Sequence, residues 1–147
     1  SCDYLYITSS GIFARDELPE GEREAASRVL VVKCAMTKCL FAHAVPQKGV
    51  DPDGYVVEQL RQDILWLGHA RVVIRSDNEP ALLDLKTAAM QLVRTRHGFD
   101  ITPEESPEED KESKGLAEGA VRGVKAQCRT LRFAVEELHG VTLRSTD

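Results

Sequence analysis

Residues 112–138 read ESKGLAEGAVRGVKAQCRTLRFAVEEL. Each residue of an α-helix turns about 100°, so Arg122, Lys125, Arg129 and Arg132 fall within about 40° of Glu118. Leu116, Ala120, Val124, Cys128, Leu131, Val135 and Leu138 fall on the other side. The stretch therefore predicts an amphipathic helix whose polar face carries a carboxylate near its start and a line of cations after it. Such a face suits a site that holds a metal and then a phosphate backbone. It equally suits a solvated surface, and the rest of the chain has to decide between them.

Working back from that helix, Ile101 to Glu112 holds six acids (Glu104, Glu105, Glu108, Glu109, Asp110 and Glu112) and one base, Lys111. That local excess equals the formal net charge of −5 for the whole chain, so the remainder is neutral. Overall acidity does not argue against an anionic partner when the charges are segregated in this way. Two prolines and the charge run predict a mobile loop from Pro103 to Gly115.

Phe99 to Thr102 reads as a short strand. Before it, Leu82, Leu85, Ala89, Leu92 and Val93 repeat at helical spacing and Gly98 closes that helix. Ser76-Asp77-Asn78-Glu79-Pro80 marks the start of this helix and the end of a buried strand, RVVIR, at Arg71 to Arg75. Asp51 with Pro52 predicts an earlier helix start; Val56, Val57, Leu60, Ile64 and Leu67 give that helix its apolar side and Gly68 its end. Arg28 to Ala35 and Cys39 to Val45 form a predicted hairpin about Met36 to Lys38. Ser9 to Ser27 is polar and reads as a long exposed connection. Asp3 to Thr8, DYLYIT, is strand-like.

The order strand, hairpin, helix, strand, helix, strand, helix predicts one α/β domain over residues 1–147. Three of its strands should be antiparallel. The strand at Arg71 to Arg75, following a helix, should run parallel to an earlier one. Hydrophobic residues make up 42% of the chain and aromatics only 5%, so the core should be aliphatic. No run is apolar enough to span a membrane, and the polar N-terminus carries no basic segment or cleavage site, so no signal peptide is expected. Cys2, Cys34, Cys39 and Cys128 form no C-x-x-C pair and the four histidines are scattered, so a zinc site is not expected. Cys34 and Cys39 should face each other across the hairpin as reduced thiols of an intracellular protein.

Three acids stand out of the apolar pattern: Asp3 in the first strand, Asp77 at the end of RVVIR, and Glu118 in the last helix. Ligand sites of α/β sheets gather at the carboxyl ends of strands, and adjacent first and fourth strands would bring Asp3 and Asp77 together there. Converging carboxylates repel one another unless cations lie between them. Oxygen-only donors suit Mg²⁺ or Mn²⁺, and two such ions about 3.5–4 Å apart stabilise both oxygens of a phosphodiester displacement. Taken singly, Asp77 is also a helix cap, Asp3 a strand end, and Glu118 a partner for the helix dipole.

Together, Asp3 in a first strand, Ser76-Asp77-Asn78 ending a later strand, and the G-x-x-E of Gly115 to Glu118 resemble the catalytic core of retroviral and LTR-retrotransposon integrases. These are the D,D-35-E type of the RNase H-like superfamily. The resemblance covers nearly the whole chain. It implies an RNase H-like mixed five-stranded sheet, three strands antiparallel and two more parallel to the first, flanked by helices. It implies Mg²⁺ or Mn²⁺, two ions in the active complex, on Asp3, Asp77 and Glu118 as catalytic ligands. Arg122 and Lys125, four and seven positions after the glutamate, would hold DNA phosphates, with Lys114 and Arg129 beside them. The partners implied are element ends, target DNA and a second core in a two-fold dimer, with a nuclear or intracellular place of action on host DNA and none at a membrane. The chain departs from the pattern in its 40 residues between Asp77 and Glu118, its acidic loop, Glu79 in place of a glycine, and its long Ser9 to Ser27 connection. Two other functions fit the same residues. One is a metal nuclease on the same fold that does not join strands. The other is a core retained as a protein-interaction module, with the acidic loop as its surface.

Overall fold

The computed structural model describes residues 1–8, 10–98, 100–103 and 111–143; for 100, 103 and 111–114 it describes the backbone alone. Among the described residues the chain forms a mixed α/β fold. Strands β1 (Cys2–Thr8), β2 (Gly11–Ala14), β3 (Ser27–Lys33) and β4 (Leu40–Val45) make an antiparallel sheet in the order β2-β1-β3-β4. Helix α1 (Tyr55–Leu67) leads to β5 (Arg71–Ile74), and α2 (Pro80–His97) leads to β6 (Asp100–Pro103). Strands β5 and β6 pair in parallel as a second, two-stranded sheet. Helix α3 (Lys111–His139) ends the described fold. No described helix is long and apolar enough to cross a membrane.

The period-two alternation of strand side chains builds two cores on opposite faces of the larger sheet. Tyr4, Tyr6, Leu30 and Val32 pack with Val56, Leu60 and Ile64 of α1 and with Leu82, Leu85, Ala89 and Val93 of α2. Leu5, Val29 and Val31 face the other way and pack with Ile12 of β2 and with Ala120, Val121 and Val124 of α3. Covering on both faces explains why β3 is a continuous apolar run from Val29 to Val32.

Several expectations are corrected. The Ser9 to Ser27 connection contains β2 and two 3-10 turns, Arg15–Glu17 and Glu20–Glu22. Ile12, Leu18 and Ala26 anchor it, each buried in an otherwise polar stretch. Helix α1 begins at Tyr55 and not at Pro52, which lies in the turn before it. Asp51 still caps the helix, because its carboxylate accepts the N–H groups of Tyr55 (2.9 Å) and Val56 (2.8 Å). Helix α3 already runs from Lys111, so the end of the expected loop is helical; residues 104–110 lie outside the described residues.

The parallel strands are not laid along β1 as in one continuous sheet. They are tied to it at a single parallel bridge, Cys2 with Ser76, where the Cys2 N–H donates to the Arg75 carbonyl at 3.0 Å. The Cys34–Cys39 pair is as expected: both thiols are free, and they flank the β3–β4 turn.

Candidate active site

The Cys2–Ser76 bridge fixes the first two acids. Asp3 and Asp77 each follow one member of a parallel bridge pair, so they stand side by side one residue beyond it. Asp3 is opposite Val31 in the register with β3, on the sheet face that α3 covers. Its carboxylate accepts the Tyr4 N–H at 2.7 Å. Burial raises its pKa, and the negative charges of Asp77 and Glu79 add to that rise against the opposing Tyr4 hydrogen bond and Arg15.

Helix α3 supplies the other wall. Val121 and Val124 are pinned against β1, β2 and β3, which turns the polar face of the same helix turns toward the two aspartates. Asp3, Ser76, Asp77, Glu118, Arg122 and Lys125 thus line one cavity of about 1250 Å³. That exceeds the ~300–1,000 Å³ of an ordinary small-molecule pocket, and just over half of the residues that line it are charged. The Ser76 hydroxyl oxygen is buried there without a hydrogen-bond partner.

The remaining sequence candidates lie elsewhere. Arg129 is exposed and is not among the described residues that line the cavity. Arg132, on the same helix face, pairs instead with Glu136 at 3.0 Å. The Lys114 side chain lies outside the described residues.

Residues that sequence reasoning passed over complete the site. The 3-10 turn after β2 brings Arg15, Asp16 and Glu17 into the cavity wall. Arg15 reaches Glu79 at 3.3 Å and Asp77 at 3.9 Å. Glu79 is further held by Lys48 at 2.5 Å, whose ammonium also lies over the rings of Tyr4 and Tyr6. Glu17 takes Lys125 at 2.5 Å and accepts the Ala14 N–H at 3.1 Å. The Lys125 hydrogen bond lowers the Glu17 pKa, with Arg129 contributing more weakly. The one sequence signal for these partners was Glu79 standing directly after Asp77-Asn78 where the resembling family has glycine.

The donor set consists of carboxylates and a hydroxyl, the oxygen chemistry that hard divalent cations take. Among the described residues, however, no three His, Cys, Asp or Glu side chains are grouped closely enough to hold a metal ion. As it stands the site is a pair of adjacent aspartates, a facing glutamate and cations already engaged by internal acids. A scan of protein-family models and searches of curated proteins and of solved structures find no significant match to this chain.

Proposed function

We propose that this domain is a retroelement integrase core, a polynucleotidyl transferase that trims DNA 3′ ends and joins them to target DNA. One observation carries the reading: Asp3 and Asp77 are brought side by side by a parallel strand contact, at a cavity whose opposite wall presents Glu118, Arg122 and Lys125. The topology supports it. Strand β2 pairs with β1 from Leu5 to Thr8, and beyond it the Cys2–Ser76 bridge brings the parallel pair β5-β6 against the β4-β3-β1 part of the sheet. An RNase H-like sheet would extend that one contact into a continuous pairing.

In this reading Asp3, Asp77 and Glu118 hold Mg²⁺ or Mn²⁺. The ions supply Lewis-acid stabilisation of the oxygens entering and leaving phosphorus. Burial first, and then the charges of Asp77 and Glu79, raise the pKa of Asp3, a condition that a bound cation would relieve. Arg122 and Lys125 lie one and two turns past Glu118 and receive the DNA backbone as charges, without reading bases. DNA ends and target DNA are the substrates, the nucleus is the place of action, and cores work in pairs.

The experiment is a plasmid assay with Mn²⁺ and an oligonucleotide bearing a free 3′-hydroxyl. The expected products are nicked plasmid and oligonucleotide joined to it. Because the ions contribute several kcal/mol to the transition state, Asp3→Asn, Asp77→Asn and Glu118→Gln should each lose at least ~10²-fold in rate. Nicking without joining would replace the reading with that of a metal nuclease. A folded protein inert with either ion would favour the second reading, an interaction module. The internal pairs Arg15–Asp77 and Glu17–Lys125 are the observation on its side.

A further inference from the structure

Past the Asp3–Val31 and Cys2–Val32 pairs, where Lys33 exchanges hydrogen bonds with Ser1, the β3–β4 register finishes at Lys33 opposite Leu40. The next opposed residues are Cys34 and Cys39, and the Cys34 N–H donates to the Cys39 carbonyl at 3.0 Å. Alternation puts both side chains on the face shared by Val32 and Phe41, toward α1. Opposed residues of a hydrogen-bonded antiparallel pair have Cα atoms about 5.5 Å apart. That lies inside the ~4.4–6.8 Å that a disulfide spans.

The surroundings of the two thiols differ from those of the other cysteines. Cys34 Sγ accepts the Thr37 N–H at 3.4 Å, because the turn folds back with Lys38 in the left-handed region at φ 62°. His69, just past α1, brings Nε2 to 3.4 Å from the same sulfur. Burial pushes the Cys34 thiol up, but hydrogen bonds from Thr37, His69 and the Met36 amide outweigh it and bring the pKa down to about 6. Cys34 is half-buried and open to small reagents, whereas Cys2 is 2% exposed and burial pushes its thiol up to about 11. Cys128 packs beside the α3 core.

We propose that Cys34 is a nucleophilic modification site for hydroperoxides and that Cys39 resolves it, so that the end of the β3–β4 hairpin closes reversibly as a disulfide. In the first step the Cys34 sulfur attacks one peroxide oxygen. An S–O bond forms, the O–O bond breaks, and the departing hydroxide is protonated to water, with His69 beside the sulfur as a proton source. In the second step the Cys39 sulfur attacks the Cys34 sulfur. The S–S bond forms and the S–O bond breaks, and the oxygen leaves as a second water with the Cys39 proton. The two thiols lose two electrons and hydrogen peroxide takes them up. A dithiol reductant reverses the change by exchange. A low thiol pKa raises the thiolate fraction but lowers nucleophilicity per thiolate. Selectivity therefore rests as much on access, on His69 and on the opposed Cys39.

The test uses the reduced protein and hydrogen peroxide at neutral pH, followed by peptide mapping and mass spectrometry. The expected first product is the Cys34–Cys39 disulfide, which dithiothreitol removes. In Cys39→Ser, Cys34 should accumulate as sulfenic acid that dimedone captures. In Cys34→Ser, Cys39 should remain a thiol at the same dose. His69→Ala should slow Cys34 oxidation several-fold while leaving the rates at Cys2 and Cys128 unchanged. The proposal is overturned if Cys39 or Cys128 is oxidised ahead of Cys34, or if wild-type Cys34 stops at sulfenic acid with Cys39 still reduced. Should a serine variant misfold, limiting iodoacetamide on the wild-type protein decides the order directly: Cys34 first sustains the proposal, and any other cysteine first overturns it.

Discussion

At the scale of single residues, Asp3 carries a charge that its place in the fold disfavours. Its pKa is raised in the folded protein by burial and then by Asp77 and Glu79. A carboxyl of that kind favours the fold below its unfolded pKa, and the contribution is lost as pH rises through the folded value. At neutral pH and without divalent ions, Asp3→Asn should therefore raise the melting temperature, and wild-type stability should gain on mild acidification where the variant does not. Calorimetry in a chelating buffer checks this, and a lower melting temperature for the variant would contradict the electrostatic account. Adding Mn²⁺ at a hundredfold excess over its Kd should stabilise the wild type by about 2.7 kcal/mol and the variant far less. Glu17 makes a second case. It holds Lys125, the cation proposed to meet DNA. Glu17→Gln should leave the melting temperature essentially unchanged yet tighten DNA binding and steepen the salt dependence. The double change Arg122→Ala with Lys125→Ala should do the reverse, flattening the log–log salt slope by up to about 0.9 for each phosphate no longer neutralised. Filter binding across a salt series reads both, and equal slopes in all three proteins would remove this helix face from the account.

Among the elements, α3 separates what periodicity can tell from what it cannot. Its apolar stripe from Leu116 to Leu138 was legible because the spacing of apolar residues is a local property of the chain. How much of that stripe is buried was not. The helix has 29 residues, about 44 Å at 1.5 Å per residue. The strands β1 and β3 beneath it have seven each, about 23 Å. Ala120, Val121 and Val124 are accordingly buried, while Leu131 is 65% exposed and Leu138 78%. Val124→Ala should cost about 2 kcal/mol in transfer and cavity terms, and Leu138→Ala less than about 0.5 kcal/mol in the monomer. Urea titrations of the two variants check the contrast; equal losses would mean that the whole stripe is packed. The start of α1 shows the other limit. Asp51 was readable as a cap from its place before an apolar repeat, but the intervening Pro52–Gly54 turn was not, because Pro at a helix's first position and Pro in a turn before it look alike in sequence.

In the whole molecule, a strand that returns after a helix was expected to run parallel to an earlier one, but that it meets β1 was only a condition of the reading, met by the Cys2–Ser76 bridge. The adjacency of Asp3 and Asp77 followed from it. The intrusion of Arg15 and Glu17 was not foreseeable, because their partners stand far away in sequence; Lys125 is 108 positions from Glu17. Only the few apolar residues of that polar stretch, Ile12, Leu18 and Ala26 among them, hinted that the connection was anchored. In these ion pairs internal charges satisfy each other; under the proposed function, divalent ions and phosphates would have to replace them. The paired assembly that the integrase reading implies predicts a dimer mass that falls to a monomer on dilution, and light scattering giving a monomer at every concentration would count against it. Whether Asp3, Asp77 and Glu118 would hold a divalent metal is decided by the anomalous scattering of a crystal soaked in Mn²⁺. Manganese peaks are expected in the cavity beside these three acids, with Arg15 displaced from Asp77. Manganese absent from that cavity, with Arg15 still on Asp77, would contradict the proposed site.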